Sequence, residues 1–220
     1  MPAQVPPPRT AVSAAHLTPT QAAQNFVSVV DRVEPVAEAM CRARTRGIPC
    51  NFRIAIDDRP NQPPNAFQTL DERGHPIIGF TLALIADARN ADEIAFVLGH
   101  EASHHILGHI PAQRKSAMTG AILAGVLASA GGADPAAIEA AQQMGATVAA
   151  RSYSKEYELA ADALGAEIAV RAGYDAVHGA AFFDRLPDPG NRFLGSHPAN
   201  AQRKALVRRV QAELTGTAGY

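Results

Sequence analysis

The sequence contains two histidines and a glutamate whose spacing suits metal-dependent hydrolysis. The segment His100-Glu101-Ala102-Ser103-His104 is an HExxH motif. On a helix, residues four apart stack on one face, so both imidazoles can bind one metal ion while Glu101 reaches a metal-bound water. The alternative is a solvated helix that carries two histidines by chance. The apolar residues around the motif favour the metal site.

Two histidines leave a catalytic zinc site incomplete, because such sites have three protein ligands and one position for water. The metzincin pattern needs a glycine three residues after the second histidine and a histidine three further on, where this chain has Leu107 and Ile110. His109 would point to the opposite side of a continuous helix from His100. We therefore interpret His105 and His109 as structural or supporting residues.

A glutamate from a later helix is the other source of a third ligand. The helical pattern over 155–172 contains Glu156 and Glu158, and only Glu158 has an aspartate four residues later, Asp162. A carboxylate in that position can accept the second N–H of a metal-bound histidine and fix its tautomer. A solvated charged face that includes Lys155, Glu156 and Glu158 explains the same residues equally well.

The HExxH segment follows a clear helix start. Asn90 is a suitable N-cap, Glu93 three residues later completes a capping box, and Asp92 places negative charge in the first turn. The apolar spacing predicts that this helix continues through Gly108. The motif would then lie in its second half.

The remaining patterns predict one mainly helical α+β domain over 20–215. A proline-rich extension precedes it over 1–19, and a short tail follows over 216–220. Pro35 should kink or end a first helix that starts near Thr20. Short extended segments at 51–56, 66–70 and 77–82 predict a small mixed sheet. Further helices are predicted over 136–151, 155–172, 176–186 and 199–214.

The segment 116–133 has 18 uncharged residues, close to the minimum length of a membrane span. Glycines and hydroxyl residues dilute its hydrophobicity, so we expect a packed or mobile helical hairpin. Membrane contact without spanning stays open. Since the segment lies between the two ligand-bearing regions, we expect it to form a lid or plug over the site.

Composition excludes one class of partner. The chain has 20 Lys and Arg against 21 Asp and Glu, a net charge of −1. This balance gives no bulk electrostatic footprint for nucleic acid or for an anionic membrane.

Cys41 and Cys50 flank a turn that contains Gly47 and Pro49. We predict a disulfide between them, which indicates an oxidising compartment; two reduced thiols are the alternative. Residues 1–9 have prolines where a signal peptide has its apolar segment. We therefore expect either a cytosolic protein or one whose signal has been removed.

Four motifs in this order resemble the HtpX-like and CAAX-prenyl-protease-like zinc metallopeptidases, the minigluzincins, and among them the soluble BepA-like bacterial members. The resemblance covers about residues 65–203. The motifs are Asn65-Ala66-Phe67, HExxH with His109 further on, Glu158-x-x-x-Asp162 before Gly165, and Ser196-His197-Pro198 followed by Arg203. The chain departs from the integral-membrane relatives in having no run of transmembrane helices. It also has no C-terminal helical-repeat domain like that of the larger periplasmic ones.

The resemblance implies a zincin-type catalytic domain that binds one zinc ion per chain. It implies that His100, His104 and Glu158 bind the zinc and that Glu101 is the general base and acid. It also suggests a role at the site for Arg203.

The sequence predicts that His197 lies on a loop that Pro198 fixes at a helix start. It could donate a hydrogen bond to the oxyanion of the tetrahedral intermediate. In the BepA-like relatives, the equivalent histidine looks able to occupy the open position of the zinc, which would make the enzyme latent. The two roles oppose each other, and the sequence leaves both open.

These observations predict an extracytoplasmic, periplasmic zinc endopeptidase that hydrolyses unfolded or envelope proteins in protein quality control. An edge strand around 77–82 would pair with an extended polypeptide substrate. A zinc-binding chaperone-like or adaptor module with little hydrolysis is the alternative from another class. A hydrolase of non-peptide amides is a third.

Overall fold

The computed structural model describes residues 17–152, 154–186 and 198–216, which form a mainly helical domain with a small mixed sheet. The predicted α+β class is confirmed. The elements are α1 (Pro19–Arg44), β1 (Arg53–Asp57), β2 (Ala66–Leu70), β3 (Pro76–Thr81), α2 (Leu82–Asp87), α3 (Ala91–Ile106), α4 (His109–Ala130), α5 (Pro135–Ser152), α6 (Ser154–Arg171), α7 (Ala176–Gly179), a 3-10 helix (Ala180–Arg185) and α8 (Asn200–Thr215).

The first helix, α1, begins at Pro19 because Thr18 and Gln21 form a capping box. The Thr18 side chain accepts the backbone N–H of Gln21, and the Gln21 side chain accepts the backbone N–H of Thr18. The helix therefore starts inside the predicted N-terminal extension. Pro35 does not end it, since α1 continues to Arg44 with the proline inside.

The sheet has the strand order β1-β3-β2, with β1 parallel and β2 antiparallel to β3. Ile78 and Phe80 of β3 are fully buried, as expected for a central strand. The prediction that 77–82 forms an edge strand is therefore wrong. The segment also ends earlier than predicted, because Thr81 caps α2 and Leu82 is that helix's first residue.

Helices α3 and α6 approach each other closely at two glycines. A Cβ atom on Gly99 would lie 2.6 Å from the carbonyl oxygen of Gly165, and one on Gly165 would lie 2.7 Å from the backbone nitrogen of His100. A larger residue at either position would push the helices apart. This contact presses the HExxH helix against the helix that carries Glu158.

Residues 116–133 do not form a hairpin by themselves, since most of them belong to α4, and α4 instead pairs with α5 in a longer hairpin. His109, Ile110 and Gln113 at the start of α4 line the cavity at the HExxH motif, but residues 116–133 do not. The prediction that this segment forms a lid or plug is therefore not met in this structure. Among the described residues, no helix combines the length and hydropathy needed to cross a bilayer.

The predicted disulfide joins Cys41 at the end of α1 to Cys50 before β1. The two residues are 9 apart in sequence, with a Cα–Cα distance of 5.6 Å. Next to this bond, the His105 ring nitrogen Nε2 lies 2.7 Å from the carbonyl oxygen of Pro49. The bond and this contact hold the start of the sheet against α3.

Replacing both cysteines by alanine should lower the free energy of unfolding by about 2–3 kcal/mol, because the crosslink no longer restricts the unfolded chain. Urea unfolding under oxidising conditions measures the effect. Dithiothreitol should lower the stability of the wild type by a similar amount and leave the double variant unchanged. Equal stability of the oxidised wild type and the variant would contradict a stabilising bond.

Candidate active site

The helix that carries the HExxH motif, α3, starts at the predicted cap. The Asn90 side chain accepts the backbone N–H of Glu93. Glu93 does not return a hydrogen bond to Asn90, as a capping box requires. Its buried carboxylate instead accepts from the backbone N–H of Arg89, at 2.9 Å, and from the Arg185 guanidinium, at 2.7 and 2.8 Å. The start of α3 is thus anchored to the 3-10 helix.

The structure brings three predicted ligands together. The Nε2 atoms of His100 and His104 lie 3.1 Å apart. The carboxylate oxygens of Glu158, on α6, lie 3.6 Å from Nε2 of His100 and 3.4 Å from Nε2 of His104. Tetrahedral zinc with Zn–N bonds of 2.0–2.1 Å separates its ligand atoms by about 3.3 Å. The donor set therefore fits a zinc ion in both chemistry and spacing.

A buried carboxylate supports His100. Oδ1 of Asp162 lies 2.9 Å from Nδ1 of His100, so Nδ1–H donates to the carboxylate and Nε2 faces Glu158. The Arg203 guanidinium, from α8, donates to the same carboxylate at 2.6 and 2.7 Å. Arg203 also lies over the Phe183 ring, 3.9 Å from its centroid. Three helices thus fix the orientation of one imidazole.

His104 is supported by another histidine. Helix α3 ends at Ile106, Gly108 adopts a left-handed conformation with φ of 67°, and α4 begins at His109. This turn brings Nδ1 of His109 to 2.9 Å from Nδ1 of His104. The His109 ring stacks on Tyr157, with centroids 4.5 Å apart. The helix is therefore not continuous through Gly108, contrary to the prediction, and His109 lies beside the site.

The surroundings shift the pKa values of these groups in different directions. Burial disfavours the imidazolium of His100, but the hydrogen bond to Asp162 and the charges of Asp162, Glu158 and Glu101 outweigh it and raise its pKa. Burial and, next, the charge of His104 lower the pKa of His109 to about 4. A neutral His109 can accept the Nδ1–H of His104, which leaves Nε2 of His104 free to bind a metal.

Glu101 is not one of the three donors. It lines the same cavity as His100, His104 and Glu158. Burial raises its pKa, against the opposing effects of His100 and His104, and the charge of Glu158 raises it further. A carboxyl group with a raised pKa is suited to take up and release a proton near neutral pH. The role of Glu101 as general base and acid stays a prediction.

A cavity of about 400 Å³ opens in front of these residues. One wall is the start of β2, including Ala66, Phe67 and Gln68. Phe182 and Phe183 of the 3-10 helix form part of another wall. The cavity is therefore an apolar cleft with one polar cluster at the HExxH motif.

Two other predicted site residues have different outcomes. Arg203 lines the cavity. Its guanidinium donates a hydrogen bond to Asp162 and lies 3.5 Å from the carboxylate of Glu158. This placement favours a positioning role over direct catalysis. His197 lies outside the described residues, so both of its predicted roles stay predictions.

Sequence reasoning missed the Tyr157 stack and the turn that positions His109. A glycine directly after the last apolar positions of α3 is a known helix-end signal, and Gly108 is such a residue. A helix end at Gly108 removes the reason for placing His109 on the opposite side from His100, because the two histidines then lie on different helices. The stack of Tyr157 on His109 has no local sequence signal, because the two residues come from different helices.

An HExxH helix that faces a glutamate from a second helix offers the donor set expected of a metallopeptidase. A model of peptidase family M48 matches residues 24–211, so the chain belongs to this family of metallopeptidases. The resemblance inferred from the motifs is confirmed at the level of the family, and the BepA-like placement stays a prediction. No curated protein matches the chain.

Replacing His109 by alanine should weaken zinc binding about 10-fold, because His104 loses the acceptor that orients its ring. Competition with a chelating dye measures the affinity of the folded protein. His105→Ala is the matched control, since His105 is also a buried histidine but contacts the carbonyl oxygen of Pro49 instead of a predicted ligand. Equal zinc affinity of His109→Ala and wild type would contradict the supporting role.

Proposed function

We propose that the protein is a zinc-dependent endopeptidase in which His100, His104 and Glu158 hold one zinc ion. The spacing of the three donor atoms, 3.1, 3.4 and 3.6 Å, carries the proposal, because it matches a tetrahedral zinc site. Membership in peptidase family M48 supports the same activity.

Glu101 acts as the proton carrier in the proposed reaction. Bound zinc supplies Lewis acidity, which lowers the pKa of the attacking water and polarises the peptide carbonyl. Glu101 takes one proton from the water as the new C–O bond forms. It then passes that proton to the amide nitrogen as the C–N bond breaks, so the carboxylate is regenerated. Asp162 and His109 hold the two imidazoles in place throughout.

An extended polypeptide would pair with the edge of β2 that faces away from β3. The Asn65 carbonyl accepts the N–H of Thr81, so the backbone at Asn65 faces β3. The backbone of Gln68 instead makes a hydrogen bond to Glu101, on the other side of the strand. Since backbone direction alternates along a strand, Ala66 points the same way as Gln68. Its N–H and C=O therefore face the cleft.

We propose unfolded or envelope proteins as substrates, in a role in protein quality control. Pairing along a strand recognises backbone groups, which every unfolded chain presents. The phenylalanines of the cleft, Phe67, Phe182 and Phe183, favour apolar side chains next to the cleaved bond. Nucleic acid is not a proposed partner, since the net charge is −1.

We further propose an extracytoplasmic location, in the bacterial periplasm. The disulfide between Cys41 and Cys50 supports an oxidising compartment. A latent state, in which His197 occupies the open zinc position, is part of the same proposal and rests on the family resemblance.

Glu101→Gln should lower cleavage of unfolded casein by at least about 100-fold, since the amide cannot carry the proton. The zinc content should stay that of the wild type, because Glu101 is not in the donor set. Mass spectrometry of cleavage products and metal analysis give the two readouts.

Glu158→Gln is the matched control for this variant and should lose both zinc and activity. Glu156→Gln, on the exposed face of the same helix, should lose neither. A wild-type protein that binds zinc but cleaves nothing would contradict the peptidase. It would support the chaperone-like or adaptor module instead.

Ala66→Pro tests the role of β2 in substrate binding. Proline removes one N–H from an edge strand that tolerates it, and the lost hydrogen bond should lower kcat/KM for casein by about three- to ten-fold. Ala66→Ser keeps the N–H and should resemble wild type. Equal values of kcat/KM for the proline and serine variants would show that the substrate does not pair with Ala66.

A further inference from the structure

The α4–α5 hairpin has large apolar side chains on its outside. In a helix pair that faces water, large apolar residues pack between the helices and polar residues face the solvent. Here five large aliphatic residues of α4 are 54–70% exposed. We call them the hairpin surface: Met118, Ile122, Leu123, Val126 and Leu127.

Small residues make the closest part of the contact between the two helices, and the Gln142 side chain of α5 lies against Gly125 of α4. A Cβ atom on Gly120 would lie 2.3 Å from the carbonyl oxygen of Gly145, and one on Gly145 would lie 2.3 Å from that of Gly120. Ala149 and Ala124 complete this contact. Close backbone approach through glycine and alanine is typical of helices that pack within lipid, where large apolar side chains face the acyl chains.

The hairpin surface is too wide for one partner helix. At 100° per residue, the positions from Met118 to Leu127 spread over about half the circumference of α4. A partner helix covers a narrower stripe. Met144 and Val148 of α5 are also large apolar residues with exposed surface, 68% and 42%. An extended apolar medium matches this width better than a single helix does.

Basic residues lie at one end of the uncharged part of the hairpin, and polar residues lie on α5. Residues 116–133 carry no charge, and the exposed Arg114 and Lys115 directly precede them. Basic side chains at the end of an apolar face can reach lipid phosphates while their aliphatic stems stay in the apolar layer. On α5, Glu139, Gln143 and Thr147 are exposed at four-residue spacing, so this helix has a polar face.

We propose that the hairpin surface binds a lipid bilayer that contains anionic headgroups. The hairpin lies in the interface, with the aliphatic side chains of α4 among the acyl chains, Arg114 and Lys115 at the phosphates, and Thr147 in water. Anchoring of this kind needs no spanning helix. Because Arg114 follows the cavity-lining His109 by five residues, about 8 Å along the helix, the cleft would open close to the membrane.

Fluorescence can test the proposal directly, because the chain has no tryptophan. Leu127→Trp places a single indole on the hairpin surface, and Thr147→Trp places one on the polar face of α5. With vesicles of 70% phosphatidylcholine and 30% phosphatidylglycerol, we expect a blue shift and quenching by brominated acyl chains for Leu127→Trp alone. Equal responses of the two variants, or no response of Leu127→Trp, would overturn the proposal.

Flotation of the full-length protein with the same vesicles tests the residues involved. Leu127→Glu should reduce the bound fraction about ten-fold, whereas Thr147→Glu, which adds the same charge on the polar face, should bind nearly as well as wild type. Circular dichroism checks that both variants keep their helices. Arg114→Gln with Lys115→Gln should weaken binding to anionic vesicles more than to vesicles of phosphatidylcholine alone.

Sedimentation distinguishes the lipid from a second copy of the chain. A dimer that Leu127→Glu dissociates, without flotation of the wild type, would show that another copy covers the hairpin surface and would overturn the proposal. Because none of these measurements depends on zinc or on cleavage, their failure would leave the proposed peptidase activity standing.

Discussion

The buried carboxylate of Asp162 is the interaction on which the candidate site depends. It lies on α6, accepts from His100 on α3 and from Arg203 on α8, and has no exposed surface. Burial by itself would raise its pKa, but the hydrogen bonds and charges of Arg203 and His100 outweigh burial and lower it. The Asp162 carboxylate therefore links α3, α6 and α8. It also selects the tautomer of His100 that leaves Nε2 facing Glu158.

This arrangement requires α3 and α6 to lie close together, which Gly99 and Gly165 allow. A Cβ atom at either glycine would approach the opposite backbone to within 2.6–2.7 Å, so a side chain there would move the helices apart. Such a shift would separate Asp162 from His100 and Glu158 from both imidazoles. The close packing of two small residues is thus a condition for the geometry of the candidate metal site, although neither glycine has a functional group.

Sequence spacing was sufficient where the determinant is local. The N-cap at Asn90 and the HExxH helix follow from residues a few positions apart, and the disulfide closes a short turn. The position of His109 could not be predicted by helical geometry alone, because Gly108 adopts a positive φ and redirects the chain. The place of β3 in the sheet depends on partners from both β1 and β2, which lie far apart in sequence. Strand type was predictable there, but strand order was not.

The charges at the site provide a physical reason for a divalent cation. Three carboxylates, those of Glu101, Glu158 and Asp162, face one guanidinium, that of Arg203, so the cluster with neutral histidines carries two excess negative charges. Excess charge that is partly removed from water is costly, and a protein can offset it by taking up protons. The raised pKa values of His100 and Glu101 are consistent with this response. A divalent cation between His100, His104 and Glu158 would balance the same charge without protonating Glu101.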